Sequence, residues 1–323
     1  MRSLLFHTYG SIQDLSLGEK PIPQPGPHEV LVRIHAAGVN DWDWGLMRGQ
    51  PFVNRLLFGL FKPRRLKTLG LDISGVVEAV GTEAKRFIPG DAVLGDLSAS
   101  KWGGFAEYVA VDEKVLTRKP PFLSHEQGAA LPHAGVLALQ GFLDYNLDVA
   151  GKEVLINGGG GGSGTLAIQI AKHLGARVTA VDKKGKFEVM RKMGAERLID
   201  YQQSDFTSEG KTYDFILDMA GHHPLAHYRR ALKPGGRYLM VGGASGVIIS
   251  CMTKGFFWSK TSDRTFGILT HEPNKYLPRL LEMMEEHQFE VTVGKTFPLE
   301  QTPEALAWFG KGEGVGKTVV TIS

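Results

Sequence analysis

Val154 to Ala171 read VLINGGGGGSGTLAIQIA: an apolar strand-like run, five consecutive glycines, Ser-Gly-Thr, then an apolar helical stretch. Within it, Gly159, Gly161 and Gly164 fit the spacing G-x-G-x-x-G. A dinucleotide pyrophosphate needs that spacing between a strand and a helix. The first glycine permits the tight turn, the second lets the phosphates approach the backbone, and the third lets the helix lie close against the strand. Backbone N–H groups at the helix start, over Gly162, Ser163, Gly164 and Thr165, then face the negative charge. Five glycines in a row would satisfy the spacing by accident, so the flanks carry the reading. Val154-Leu155-Ile156 precedes the loop, Leu166, Ile168, Ile170 and Ala171 follow it, and a second strand, Arg177 to Val181, ends in Asp182.

Outward from this loop the chain alternates. Strands are expected at 154–157, 177–181, 213–218 and 236–241, separated by helix-length stretches. Helices are expected over Leu166 to Leu174, Lys186 to Met193 and Leu225 to Ala231, the last closed by Lys233-Pro234-Gly235-Gly236. This rhythm implies a parallel, doubly wound α/β sheet with right-handed crossovers. A further strand is expected at Thr265 to Leu269, and the tail holds helices near Tyr276 to Glu286 and Pro303 to Phe309 and a strand at Thr318 to Ile322. The texture before Pro120-Pro121 is different. Glu29 to Ala36, Asp72 to Val80 and the run opening at Gly90-Asp91-Ala92 read as strands, and Gly103 to Val111 as a turn leading into one. Few helices are visible there, so the first part is expected to be β-rich and partly barrel-like.

Bulk properties exclude several classes of partner. The 323 residues suit two domains, and 42% hydrophobic with 22% charged content is that of an ordinary globular protein. A net charge of +3 is too small for a nucleic-acid binder, the bases being scattered apart from Arg64-Arg65 and Lys183-Lys184. The single cysteine, Cys251, excludes an intrachain disulfide and a multi-cysteine zinc site, and reads as an inert small apolar residue rather than a nucleophile. No run approaches a membrane span, and the opening MRSLLFHTYGS lacks a signal-peptide pattern, so a cytoplasmic protein with no membrane partner is expected.

An ordered set of fragments extends the reading to nearly the whole chain: Gly38-Val39-Asn40 with Asp43, Gly70 to Gly81, Gly90 to Val93, Gly103 to Val109, Ala129 to Pro132, the glycine loop, Gly194-Ala195 with Asp200-Tyr201, and Gly316 to Val320. In these the sequence resembles the medium-chain dehydrogenase/reductase superfamily, in its zinc-independent, zeta-crystallin-like quinone oxidoreductase branch. The resemblance implies a GroES-like catalytic domain over 1–122, a Rossmann NAD(P)-binding domain over 123–271, and a C-terminal return over 272–323 that completes the first domain. It also implies a homodimer. Zinc-using relatives carry three metal ligands where this chain has Asn40, Leu71 and, near the third, His133. One imidazole cannot make the three-ligand open site of a catalytic zinc. No metal is therefore expected, and the favoured acceptors are small hydrophobic electrophiles that take a hydride without a Lewis acid: quinones, or alkenes conjugated to a carbonyl. An enoyl-thioester or alkenal reductase, or a non-catalytic NADPH-binding crystallin-like protein, would carry the same motifs.

Individual residues have two readings each. Asn40 would bond the nicotinamide or the substrate oxygen, with Asp43 beside it, or the two would cap a helix at Trp42 to Met47. His133 would donate a proton to the reduced substrate, or pack at a helix start. The segment Gln50 to Pro63, rich in Phe and Leu, would wall a substrate cleft or pack into a core, and Phe256-Phe257-Trp258 would add a second wall. Asp182 at the second strand end favours NAD(H), because a carboxylate there bonds the ribose hydroxyls and repels a 2′-phosphate. Lys186 and Tyr201 match the pair that clasps the 2′-phosphate in NADPH-using quinone reductases, and they tip the expectation to NADP(H). Ala220, Gly242 and Gly243 close later strands and would let the nicotinamide half lie close, and Lys317 would approach a cofactor phosphate.

Overall fold

The computed structural model describes every residue except Arg65 and Lys67, so the second member of the basic pair Arg64-Arg65 lies outside the described residues. The chain forms two units. The first comprises residues 1–133, 273–281 and 291–323, and the second residues 134–272 and 282–290. The sequence reading placed all of 272–323 with the first unit. The structure groups 282–290 with the second, where the Gln169 side chain bonds the backbone of Glu290 in both directions.

The second unit is built on six parallel strands. In spatial order they are Arg197–Asp200, Arg177–Asp182, Glu153–Asn157, Tyr213–Asp218, Leu232–Met240 and Thr265–Ile268. Numbered along the chain this is 3-2-1-4-5-6, so the order reverses between Glu153–Asn157 and Tyr213–Asp218. Ligands of such sheets bind beyond the carboxyl ends of the strands at that reversal. Leu155, Val181, Ile216, Tyr228 and Tyr238 belong to a core on this sheet. The helices Gly162–His173 and Leu225–Ala231 fall where the apolar periodicity places them. Lys233-Pro234-Gly235-Gly236, expected as a turn after the last of these, instead lies inside the strand Leu232–Met240. The irregularity it introduces is absorbed by a register shift against Tyr213 and Phe215.

The first unit holds a seven-stranded sheet, in which Tyr108–Asp112 pairs with Glu29–Gly38 as a branch, and a two-stranded sheet of Arg2–Phe6 and Leu15–Glu19. The strands Glu29–Gly38 and Asp72–Val80 pair antiparallel over their whole length, with two register shifts. The chain's last strand, Lys317–Thr321, lies antiparallel to the end of Glu29–Gly38, opposing Val319 to Gly38. That pairing brings a residue near the C-terminus to the loop after the first long strand. Asn274 also returns to this unit, exchanging side-chain bonds of 2.8 and 2.7 Å with the backbone of Asp96. Among the described residues no helix is long and apolar enough to cross a membrane.

Candidate active site

The pentaglycine turn follows Glu153–Asn157 and opens directly into Gly162–His173. Gly158 and Gly159 donate their N–H groups to Val181 O, which fastens the turn to the neighbouring strand. A side chain at Gly164 would put its Cβ 2.1 Å from Gly158 O and 2.7 Å from Gly159 Cα, so helix and loop touch where only a hydrogen fits. Gly161 is different. A Cβ there would meet only Gly158 O, at 3.6 Å, and its φ of −85° suits any residue. The protein leaves room above Gly161, and no described side chain caps the helix that starts after it. Unclaimed N–H groups at an open helix start make a site for phosphate oxygens. Ser163 lies in this first turn, and the Thr165 hydroxyl turns back to Gly162 O at 3.0 Å.

Asp182 does not project from its strand end. One carboxylate oxygen accepts the N–H of Gly160 at 3.0 Å, the other that of Lys183 at 2.8 Å, and Lys186 Nζ lies 3.2 Å away. Both Asp182 and Lys186 are buried, so the pair presents compensated charge rather than a bare carboxylate. Asp200 is the register partner of Asp182, so Tyr201 and Lys183 leave the sheet side by side, with Tyr201 50% exposed. At the reversal point, Asp218 is fully buried. It accepts from Asn157 Nδ2 at 2.7 Å, Tyr238 Oη at 2.9 Å and Ala220 N at 3.0 Å. Burial raises its pKa, against those hydrogen bonds. The loops carrying Ala220 and Gly242-Gly243 are zipped by Gly221 N to Gly242 O at 2.9 Å and a bridge between Gly221 and Gly243.

The first unit holds a second polar cluster, and its members come from five separate segments. The Asn40 side chain does not cap the helix Asp41–Arg48. Its Nδ2 donates to Gly38 O at 3.2 Å and Asp72 Oδ2 at 3.1 Å, and its Oδ1 accepts from Lys317 Nζ. Lys317 Nζ also lies 3.3 Å from Asp72 Oδ2. The other Asp72 oxygen accepts the backbone N–H of His133 at 3.0 Å, and the His133 ring meets Asp96 through Nδ1 at 3.1 Å. Burial raises the Asp72 pKa, opposed first by the Lys317 charge. Asp43 serves the backbone: its two oxygens accept the N–H groups of Asn40 and Gly70, at 2.9 and 2.8 Å. Burial pushes its carboxyl up to about 7.

Asp43 takes the capping place that one of its two readings gave it, through the Asn40 N–H, whereas Lys317 and Asn40 bond each other. Lys317 is held among Asn40 and Asp72 in the first unit, a different setting from the expected phosphate contact. Asn40 has both amide hydrogens engaged within the protein, and Asp43 ties the helix start to the Gly70 loop. Asp72 and Asp96 were not singled out from the sequence. Their signal was an acid at either end of an apolar strand, Asp72 opening DISGVV and Asp96 closing AVLGD. The Phe- and Leu-rich segment is not a core helix. Phe52, Leu56 and Leu57 are exposed, Phe61 is 83% exposed, and Phe58 packs edge-on against Trp102. Phe256 and Phe257 are exposed too, whereas Trp258 packs on Phe266 and beneath Arg229. Leu71, at the second metal-ligand position of zinc-using relatives, is fully buried and has no donor atom.

Residues 26–121 match the family model described as an alcohol dehydrogenase GroES-like domain, and residues 193–320 that described as a zinc-binding dehydrogenase. The chain is 31% identical to the chloroplastic quinone-oxidoreductase QR1 of Triphysaria versicolor, over 99% of this chain and 98% of that one. The chain belongs to the medium-chain dehydrogenase/reductase superfamily, in its quinone oxidoreductase branch. It is also 31% identical to a 2-methylene-furan-3-one reductase of Solanum lycopersicum, over 99% of this chain and 79% of that one. The solved quinone oxidoreductase of Coxiella burnetii superposes with a TM-score of 0.88 at 28% identity, covering 100% of this chain and 99% of that one. The family fits both units: a Rossmann sheet in one, a GroES-like sheet in the other.

Proposed function

We propose that this chain is an NADPH-dependent reductase of quinones and of alkenes conjugated to a carbonyl, working without a metal ion. The observation that carries the reading is the glycine loop. It leaves space above Gly161 at an uncapped helix start while packing Gly164 tightly below. Gly159, Gly161, Gly162, Ser163, Gly164 and Thr165 would hold the pyrophosphate there. When bound, the nicotinamide supplies the hydride. Asp182 is already satisfied by Gly160, Lys183 and Lys186, which removes the bare carboxylate that would repel a 2′-phosphate. Lys186, with Tyr201 and Lys183 at the adjoining strand ends, is assigned to that phosphate. Ala220, Gly242 and Gly243 keep side-chain bulk away from the carboxyl ends of the central strands.

In the first unit, Asn40 and Asp72 orient Lys317, taking two of the three N–H donors of its ammonium. We assign the third to the substrate oxygen, where negative charge gathers as the acceptor is reduced. A fixed donor at that point lowers the barrier because it needs no reorganisation. His133 is the alternative proton source, its ring being oriented by Asp96. Of the three metal-ligand positions of zinc-using relatives, one is apolar Leu71 and one is Asn40, whose amide is already engaged. Acceptors that delocalise their own charge suit such a site.

The test is titration with NADPH and NADH followed by an acceptor screen with a benzoquinone and a medium-chain enal. Preferred NADPH binding with turnover of either acceptor supports the reading. Tight NADPH binding without turnover of any electrophile would favour a non-catalytic role. A homodimer and a cytoplasmic location belong to the same proposal, checked by sedimentation and by fractionation.

A further inference from the structure

The loops that follow Arg197–Asp200 and Tyr213–Asp218, with the helix Leu225–Ala231 after the second, bring together three side chains with no part in the chemistry above: Asp205, His223 and His227. One carboxylate oxygen and one ring nitrogen from each histidine lie within 4.8 Å of one another. His223 Nε2 stands 3.6 Å from Asp205 Oδ1, and the two imidazoles are nearly parallel, 21° apart with centroids at 5.9 Å. We propose that Asp205, His223 and His227 form a binding site for a divalent first-row transition-metal ion, of which Zn²⁺ is the probe.

Each of the three is held by bonds that do not involve the others. The Asp205 carboxylate is fixed by the Thr207 N–H at 2.8 Å and hydroxyl at 2.7 Å. Between them the buried ring of Phe206 anchors the loop, edge-on to His223 at 5.5 Å and tilted against Tyr228 at 6.1 Å. His223 is placed by its own backbone. The N–H groups of His222 and His223 both donate to Tyr228 Oη, at 3.2 and 3.3 Å, and Tyr228 is itself buried in the core. His227 rides on Leu225–Ala231, with Nδ1 3.4 Å from the Thr207 hydroxyl. The backbone is therefore in place, and an ion has only side-chain rotations left to order.

The donor set selects the ion. Two imidazoles and one carboxylate suit Zn²⁺, Ni²⁺, Co²⁺ and Cu²⁺, whereas Ca²⁺ and Mg²⁺ require mostly oxygen ligands. Bonds of about 2.0–2.1 Å in a tetrahedron set donor atoms roughly 3.4 Å apart, so closure asks for about an ångström of movement from part-exposed side chains. Three protein ligands leave a fourth position for water. An ion here would staple the loop after one strand to the helix after its neighbour in sequence, both at the cofactor edge of the sheet.

The experiment is calorimetric titration of chelator-stripped, desalted full-length protein with ZnCl₂, with MgCl₂ as control. The unaltered chain should bind one Zn²⁺, with a rise in melting temperature, and should not respond to Mg²⁺. His223→Ala and His227→Gln should each weaken Zn²⁺ at least tenfold, because loss of even an outer-shell partner costs about 10–100-fold. Asp205→Asn keeps an acceptor for Thr207 and removes the charge, and it should weaken binding without lowering the melting temperature of the stripped protein. Its value lies in separating ligation from folding should either histidine variant unfold. No Zn²⁺ uptake by the unaltered chain, equal response to Mg²⁺, or uptake undiminished in all three variants would overturn the proposal.

Discussion

Two glycines three residues apart should respond oppositely to the same added methyl group. At Gly161 a Cβ meets only Gly158 O, at 3.6 Å, and the backbone is in ordinary extended conformation. Gly161→Ala should therefore fold normally, and the reduced freedom of the unfolded chain should stabilise it by about 0.4–1 kcal/mol. Gly161→Val fills the space the account reserves for the pyrophosphate. It would cost two charge-assisted hydrogen bonds, about 1.5–3 kcal/mol each, or roughly 3–6 kcal/mol together. That is a weakening of NADPH binding by about 10²–10⁴-fold. At Gly164 the added Cβ falls 2.1 Å from Gly158 O, so backbone must move by more than an ångström. Gly164→Ala should lose about 1–3 kcal/mol of stability or more by overpacking, before any ligand is added. Thermal melts paired with NADPH fluorescence titrations separate the two effects. A Gly161→Val protein that binds NADPH like the unaltered chain would refute the placement of the cofactor.

Further outcomes follow from the same contacts. Lys186→Ala should weaken NADPH by about 10–100-fold, losing a charged bond of about 1.5–3 kcal/mol and leaving Asp182 uncompensated, while NADH changes much less; an unchanged NADPH-to-NADH ratio would contradict the assignment of the 2′-phosphate. Lys317→Met should lower kcat by about 10²–10³-fold with KM for NADPH little altered, as for loss of one oxyanion donor. It should also destabilise the chain by about 3–5 kcal/mol because Asp72 is left buried and unpaired, a penalty that Asp72→Asn in the same chain should relieve. Asp43 has a folded-state pKa pushed up to about 7 by burial, above its ordinary 3.8. Its stabilising contribution is therefore complete below about pH 4 and is lost as pH rises through about 7, a change of a few kcal/mol. The stability advantage of the unaltered chain over Asp43→Asn should shrink over that window in denaturant titrations; a constant gap would show that the carboxyl is not buried as described. Cys251 is 3% exposed, with its thiol pushed up to about 11 by burial. It should stay silent to a thiol reagent at neutral pH until denaturant is added.

The parallel sheet was legible because its signals are local: a strand, a glycine turn and a helix within Val154 to Ala171. What escaped lacks such signals. The helix Pro132–Leu143, read only by its start near His133, is buried almost all round and carries no apolar stripe to set its period. Arg197–Asp200 is only four residues long, too short for alternation to register. Lys233-Pro234-Gly235-Gly236 has the chemistry of a turn, but Leu232 before it and Arg237 after it both pair with the neighbouring strand Tyr213–Asp218, so it is carried within a strand as an irregularity, with tertiary contacts overriding local preference. Of the candidate site, the glycine loop was placed by its spacing and Lys186 by the family resemblance. The union of Asn40, Asp72 and Lys317 was not, because the last strand delivers Lys317 across 277 residues of chain. Asp182 shows the converse: its position at a strand end was clear, while its direction, turned back onto Gly160, was a matter of packing.

The central claim is that this chain moves reducing equivalents from NADPH to an electrophile with no ion in the chemistry. The direct measurement is benzoquinone-dependent NADPH oxidation by protein carrying His223→Ala and His227→Gln together, before and after exhaustive chelation. The double variant keeps the proposed surface ion from confusing the result. The account predicts turnover unchanged by chelation and by added Zn²⁺. Turnover abolished by the chelator and restored by Zn²⁺ would contradict it.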